Sequence, residues 1–456
     1  MKKYIVILLV AANLVACKKQ DSWLDIKSNK ADVVPSSLTD LQAIMDNDGI
    51  MNYNFPALGN VASDNYFITY STWLSAYNQA RNAYVWAKDI FEGYTNNDWN
   101  KEYAMIEYAN IVLDGLSKIK VNSADSSKYN NIKGSALFYR AYAFYDLAQL
   151  FAKPYNKNAA ANDLGIPLRM TSDVNEVSVR SNIEQTYNRI LADLNEAEKL
   201  LPLMPLYKTR PSKLAVDGLL ARVYLNMDDY NSALLYAGKV LSNYSDLIDF
   251  NTINTAPLFT LPNYQKGNKE VIFYSYSMSY GSGIGSFPAL VDTILYQSYQ
   301  QDDLRRSVFY TLRPAGITFR GNYTGNGATF SGISTNEIYL IRAECYARID
   351  MIPEAMNDLN TLLLKRWKAG TFMPFTATNA NEALNLILTE RRKELPFHSG
   401  LRWQDLRRLN KEPDRAITLT RELNGETFTL PPNDNRYVYP IPPDEIRLSG
   451  IQQNPR

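Results

Sequence analysis

Few side chains in this sequence could do chemistry. It contains one histidine, His398, and two cysteines, Cys17 and Cys345. A two-histidine metal site is therefore excluded, and a serine or cysteine nucleophile would have only His398 as its base. His398 stands in Pro396-Phe397-His398-Ser399-Gly400, a turn with no identifiable catalytic partner, so its reading is structural. Paired carboxylates occur at Asp302-Asp303 and at Glu390 with Glu394. Glycoside hydrolysis needs such a pair at a set separation, but a chain with 47 acidic residues offers many pairs. Glu390-Arg391-Arg392-Lys393-Glu394 reads better as a charged helix face with local ion pairs. Two glycine-rich stretches, Gly281 to Gly285 and Gly321 to Gly327, lack both the Walker ending and a dinucleotide fingerprint, and read as flexible loops. These residues lead us to expect no enzyme activity, no cofactor and no metal.

Cys17 has a different chemistry. Lys2 and Lys3 precede an apolar run from Tyr4 to Ala12, and Leu14-Val15-Ala16-Cys17 follows. A basic start, a short apolar core and small residues before a cut describe a secretory signal peptide over 1–16. The run is shorter than the roughly 20 residues that span a bilayer. Leu-Val-Ala-Cys resembles the bacterial lipobox, in which the cysteine thiol is acylated and becomes the first residue. Each buried acyl methylene contributes roughly 0.8 kcal/mol, so several chains give stable attachment. Lys18 to Ser22 would form a polar tether. With Cys17 acylated, Cys345 has no disulfide partner and reads as a small buried residue in a helix.

A net charge of +1 without a basic block argues against nucleic acid as a partner. Tyrosine is abundant, at 32 residues, beside 6 tryptophans. Rings present an apolar face at low entropic cost, which suits flat or sugar-like ligands. Two irregular segments, about 52–97 and 250–333, concentrate them. One holds Tyr66, Tyr70, Trp73, Tyr77 and Trp86; the other holds Tyr280, Tyr296, Tyr299, Phe319 and Tyr323. Trp73, Tyr77, Tyr296 and Tyr323 are the candidate stacking residues, because loops beside a rigid scaffold are where rings are displayed.

The scaffold is read as helical hairpins over about 98–151, 182–245, 334–368 and 381–395, with 17–456 as one domain. Pro202 stops the helix that starts near 182, and Pro211 is taken as the first turn of the next. Ala221, Tyr224, Tyr230, Ala233 and Val240 fit a tetratricopeptide unit, and Ala343, Tyr346, Ile352, Ala355 and Leu362 repeat that spacing. The fold class is thus mainly α, a tetratricopeptide-like hairpin scaffold carrying a loop-rich, partly β insertion. Val271 to Tyr276 is expected to be strand.

Several motifs resemble one family, the SusD/RagB outer-membrane nutrient-binding lipoproteins. The strongest is Glu390-Arg391-Arg392-Lys393-Glu394-Leu395-Pro396-Phe397, followed by Gly400-Leu401-Arg402-Trp403-Gln404-Asp405-Leu406-Arg407-Arg408. His398-Ser399 stands where the family usually has one Glu, so the turn is one residue longer. Tyr439-Pro440-Ile441-Pro442, Glu445-Ile446 and Gln453-Asn454-Pro455 resemble the family's closing motif. Arg140 to Leu147, Gly165 to Leu168 and Trp23-Leu24-Asp25 resemble further pieces, in the family's order. The resemblance implies a lipid-anchored protein at the outer membrane, facing the cell surface. It would bind a glycan, or in some members a peptide, and deliver it to a SusC-like TonB-dependent barrel transporter. The alternatives are a lipid-anchored hydrolase of the same pathway and an envelope scaffold without a small ligand.

Overall fold

The computed structural model describes residues 35–281 and 283–456. Its architecture is mainly α. Two short helices, α1 (Tyr70–Ser75) and α2 (Asn78–Tyr84), precede the long ones, α3 (Asn97–Ser117), α4 (Ser126–Phe151) and α5 (Ile183–Leu200). Then come α6 (Lys213–Asn226), α7 (Tyr230–Asn243), α8 (Thr293–Gln297), α9 (Thr335–Arg348), α10 (Ile352–Leu363), α11 (Ala380–Glu394) and α12 (Leu401–Leu409). None of the described helices is long and apolar enough to cross a membrane.

Local chemistry sets the helix ends. Asn182 and Gln185 form a reciprocal capping box that opens α5. Ser212 caps α6 by accepting from Ala215 N at 3.2 Å. Pro211 therefore lies before the cap and not in the first turn, because the hydroxyl supplies the better start. α4 is buried on nearly every side from Ile132 onward, packed against α3 and α5.

The repeat shows in the packing. Ala221, Ala233, Ala343 and Ala355 are fully buried, which lets each helix pair approach closely. In the first pair Tyr224 and Tyr236 stack at 5.6 Å and 8°. The turns match too: Asp228 and Asp350 both adopt left-handed backbone, with φ of 60° and 62°. α7 packs on α9, so the two hairpins are neighbours although residues 244–334 intervene.

The two irregular segments are joined by strands. β1 (Tyr66–Phe67), β2 (Leu290–Val291), β3 (Tyr310–Arg313) and β4 (Gly316–Phe319) form a sheet in the order β1-β2-β4-β3, all antiparallel. Tyr66, Val291, Phe319 and Tyr310 fill its inner face. Tyr53 pairs with Tyr276 in a short parallel ladder, and Val271–Phe273 pairs with Ile333–Ser334. Further on, β5 (Leu419–Leu423) and β6 (Glu426–Leu430) make a separate hairpin.

The charge run at 390–394 departs from expectation. Glu390, Arg391, Lys393 and Glu394 are buried, and only Arg392 of the five keeps partial exposure. Glu394 accepts from Arg305 at 3.2 Å, from Arg366 at 2.9 Å and from Asn336 at 2.9 Å. Arg305 also grips Asp303 at 2.7 Å and Glu390 at 2.5 Å. Arg366 reaches Glu270 at 2.8 Å, and Lys393 pairs with Glu390 at 2.8 Å. These contacts tie α11 to the insertion, so the motif is a buried lattice of charges. Desolvation opposes every member, and only this density of partners offsets it.

Candidate functional site

The exposed aromatic surface is built on α1 and α2. Thr69 caps α1 by accepting from Thr72 N at 3.2 Å. The helix lasts six residues and buries none of them fully. Trp73 is its one root: Nε1 donates to Arg81 O at 3.1 Å, and the Arg81 guanidinium lies 5.5 Å from the indole centre. Tyr70 stacks on Trp73 at 5.7 Å and 19°. Tyr77, in the link to α2, is 75% exposed, and Tyr94 is 64% exposed. Phe67 and Leu74 are exposed beside them in sequence.

Polar groups brace this surface. Asn78 and Asn82 both donate to Glu92, at 2.7 and 2.8 Å, and Gln79 donates to Thr95 O at 2.7 Å. Below, Asp98 accepts from Ala57 N at 2.6 Å, from Leu58 N at 2.8 Å and from the Tyr280 hydroxyl. Burial raises the Asp98 carboxyl to about 6 even against these donors. Asn96 donates to the same Tyr280 at 2.9 Å. Tyr280 thus latches the second irregular segment onto the base of the first.

The four candidate rings have different fates. Trp73 and Tyr77 share the α1–α2 surface. Tyr296 is half-buried on α8, edge-on to Tyr310 at 5.5 Å, with its hydroxyl accepting from Arg306 at 3.2 Å. A cleft of about 460 Å³ beside α8 is lined by Ile294, Asn385, Leu388 and Arg392, without Tyr296. Tyr296 and Trp73 do not stack on one another: the first meets Tyr310 and the second Tyr70. Tyr323 is a correction. Its ring is fully buried, and its hydroxyl donates to Glu270 inside the charge lattice, so it has no free face for a ligand.

Other candidates are also placed. His398 is buried between Tyr323 and Phe330, at 4.9 and 5.2 Å, and burial pulls its imidazole down to about 4. Asp303, Glu390 and Glu394 are buried in ion pairs with Arg305. Cys345 is buried, and burial pushes its thiol well up. Cys17 lies outside the described residues. Sequence reasoning missed Tyr94, Phe67 and Leu74. The spacing of Tyr70, Trp73, Leu74 and Tyr77 is helical, which is the signal that could have found Leu74; Phe67 follows from alternation with the buried Tyr66.

Comparison with known proteins adds three observations. Residues 21–225 match a SusD-like family described as starch-binding and associating with the outer membrane, and residues 319–456 match the SusD family. A SusD-like protein P2 of Formosa agariphila is 26% identical over 424 residues, covering 78% of this chain and 79% of that protein. A SusD superfamily protein from Bacteroides vulgatus shares the fold at a TM-score of 0.74 and 22% identity, over 92% of this chain and 99% of that one. A surface glycan-binding protein A from Bacteroides fluxus does so at 0.69 and 18%, over 94% and 100%.

Proposed function

The chain belongs to the SusD/RagB family, and from that premise we propose that it binds a glycan through the Tyr70–Trp73–Tyr77–Tyr94 surface. The observation that carries this is a set of exposed rings, Tyr70, Tyr77 and Tyr94, around the half-buried Trp73, which stacks on Tyr70 in a helix that buries no residue fully. Trp73 packs partly against the core, but packing gives Tyr77 and Tyr94 no reason to stay exposed, whereas the apolar face of a sugar would. Asn78, Gln79 and the hydroxyls of Ser71 and Ser75 stand beside the rings in sequence and can hydrogen-bond sugar hydroxyls. Trp73 is held in place before any ligand arrives, so little ordering entropy is lost on binding.

In this reading acylated Cys17 holds the protein at the outer membrane. The bound glycan passes to a TonB-dependent barrel of the SusC type. The family description and the name of the glycan-binding relative support the ligand class and the location. The lipobox pattern supports the anchor.

The test is calorimetric titration with an oligosaccharide selected on a glycan array. Trp73→Ala and Tyr77→Ala are each expected to weaken binding about tenfold, as truncation of an aromatic anchor does. Unchanged affinity in both variants would remove this surface from the binding reaction.

A further inference from the structure

Four tyrosines gather around one acid where the two irregular segments pair. Tyr53 and Tyr276 are partners in the short parallel ladder and stack at 4.5 Å and 15°. The Tyr274 ring meets Tyr276 edge-on at 6.3 Å and Tyr264 at 4.4 Å. Asn52 fixes the arrangement by donating to Tyr274 O at 2.8 Å and to Thr209 O at 3.0 Å. Tyr274 is buried, whereas Tyr53, Tyr264 and Tyr276 are half-buried and keep part of each ring in solvent.

The acid is Asp48, itself half-buried. The Tyr53 hydroxyl donates to it at 3.0 Å. Burial raises the hydroxyls of all four tyrosines and the Asp48 charge raises each further, which places the four hydroxyl ends around the carboxylate. The Tyr274 and Tyr276 hydroxyls have no hydrogen-bond partner among the described residues. Nor does any described cation pair with Asp48. Arg210 closes on both oxygens of Asp46, at 2.7 Å each, and Lys266, on the turn that carries Tyr264, forms no ion pair there. Burial therefore raises the Asp48 carboxyl even against the Tyr53 bond. Stacking accounts for the rings, but it does not account for a half-buried acid set among them without a counter-charge.

We propose that this cluster binds the ammonium group of an amino sugar, a glycan whose amine is free rather than acetylated. An ammonium brings one positive charge and several N–H donors. Asp48 would supply the counter-charge, the Tyr274 and Tyr276 hydroxyl oxygens would accept further N–H groups, and the open parts of the Tyr53 and Tyr264 rings would meet the charge and the apolar face of the sugar. The sugar rests on the reading of the chain as a glycan binder, but the cluster shares no residue with the Tyr70–Trp73–Tyr77–Tyr94 surface.

The experiment is calorimetric titration of the full chain with triglucosamine, its tri-N-acetylated form and trilysine, at low salt and at pH 6, where the free amine is charged. We expect triglucosamine to bind at least tenfold tighter than the acetylated sugar. Asp48→Asn keeps the shape of the side chain and an acceptor for Tyr53, and should erase that preference. Tyr264→Ala should weaken triglucosamine at least threefold, and Trp73→Ala should leave the preference unchanged. Equal affinity for the free and acetylated sugars, or a preference that survives Asp48→Asn, overturns the proposal. So does trilysine binding as tightly as triglucosamine, which would make the attraction one of charge alone. A preference lost in Trp73→Ala and kept in Asp48→Asn assigns the amine to the aromatic surface and overturns this site. A preference lost in Asp48→Asn and kept in Trp73→Ala upholds it, whatever becomes of that surface.

Discussion

Around Arg305 and Glu394, ionised side chains are buried; on α1, aromatic and aliphatic side chains face water. The two regions invert the usual ranking of what a protein buries. Inside, each charge is justified by its neighbours. Glu394 alone answers Arg305, Arg366 and Asn336, so the lattice fixes where the insertion sits on the helices. Outside, Tyr77 has no such neighbours. The buried charges are therefore explained by the fold, whereas the exposed rings are explained by it only at Trp73.

The most severe way to break this contrast is Arg305→Ala. It would leave Asp303 and Glu390 sharing Lys393 as their one remaining cation, and about 3 kcal/mol of stability should be lost in urea denaturation. A loss below about 1 kcal/mol would mean the lattice is not what holds the insertion.

His398 gives a pH-dependent version of the same test. Its folded value is about 4, against 6.5 for the free imidazole. Between those values the unfolded chain takes up a proton that the folded chain refuses. Stability from the neutral ring is therefore complete above pH 6.5 and falls as pH drops toward 4, by up to about 3 kcal/mol. His398→Phe keeps a ring between Tyr323 and Phe330 and should flatten that part of the profile, measured as unfolding free energy at pH 7 and pH 4.5. A parallel profile in the variant would remove His398 from the acid response.

The smallest effect sharpens the outer side. Tyr70→Ala and Leu74→Ala should each change stability by no more than about 0.5 kcal/mol, since neither side chain is buried. A clear fall in melting temperature would turn these residues back into packing.

The sequence carried one kind of information well. Alanines twelve residues apart marked where helices touch, because only small side chains permit that approach; the burial of Ala221 and Ala233 follows from spacing alone. Burial of single rings was not legible. Tyr323 and Tyr77 both stand in irregular, tyrosine-rich stretches, but Glu270 waits opposite one and solvent opposite the other. That partner lies 53 residues away, beyond any local pattern. The 390–394 run failed for the same reason. Its period shows a helix, but Arg305 and Arg366 come from distant segments, and without them the charges belong outside. Phe397 and Gly400, both with positive φ, shape the turn into α12, a helix that the family motif covers but the expected elements stopped short of.

The packing of α7 on α9 has a consequence for how such a chain can change over generations. Residues 244–334 leave and rejoin the scaffold at two points that this contact holds together. Lengthening a closed excursion carries only a logarithmic entropic penalty, about 0.6 kcal/mol per doubling. Inserted or deleted residues there need not move either hairpin. The loops of the excursion can thus differ in length between lineages while the helices that carry it pass unchanged from ancestor to descendant.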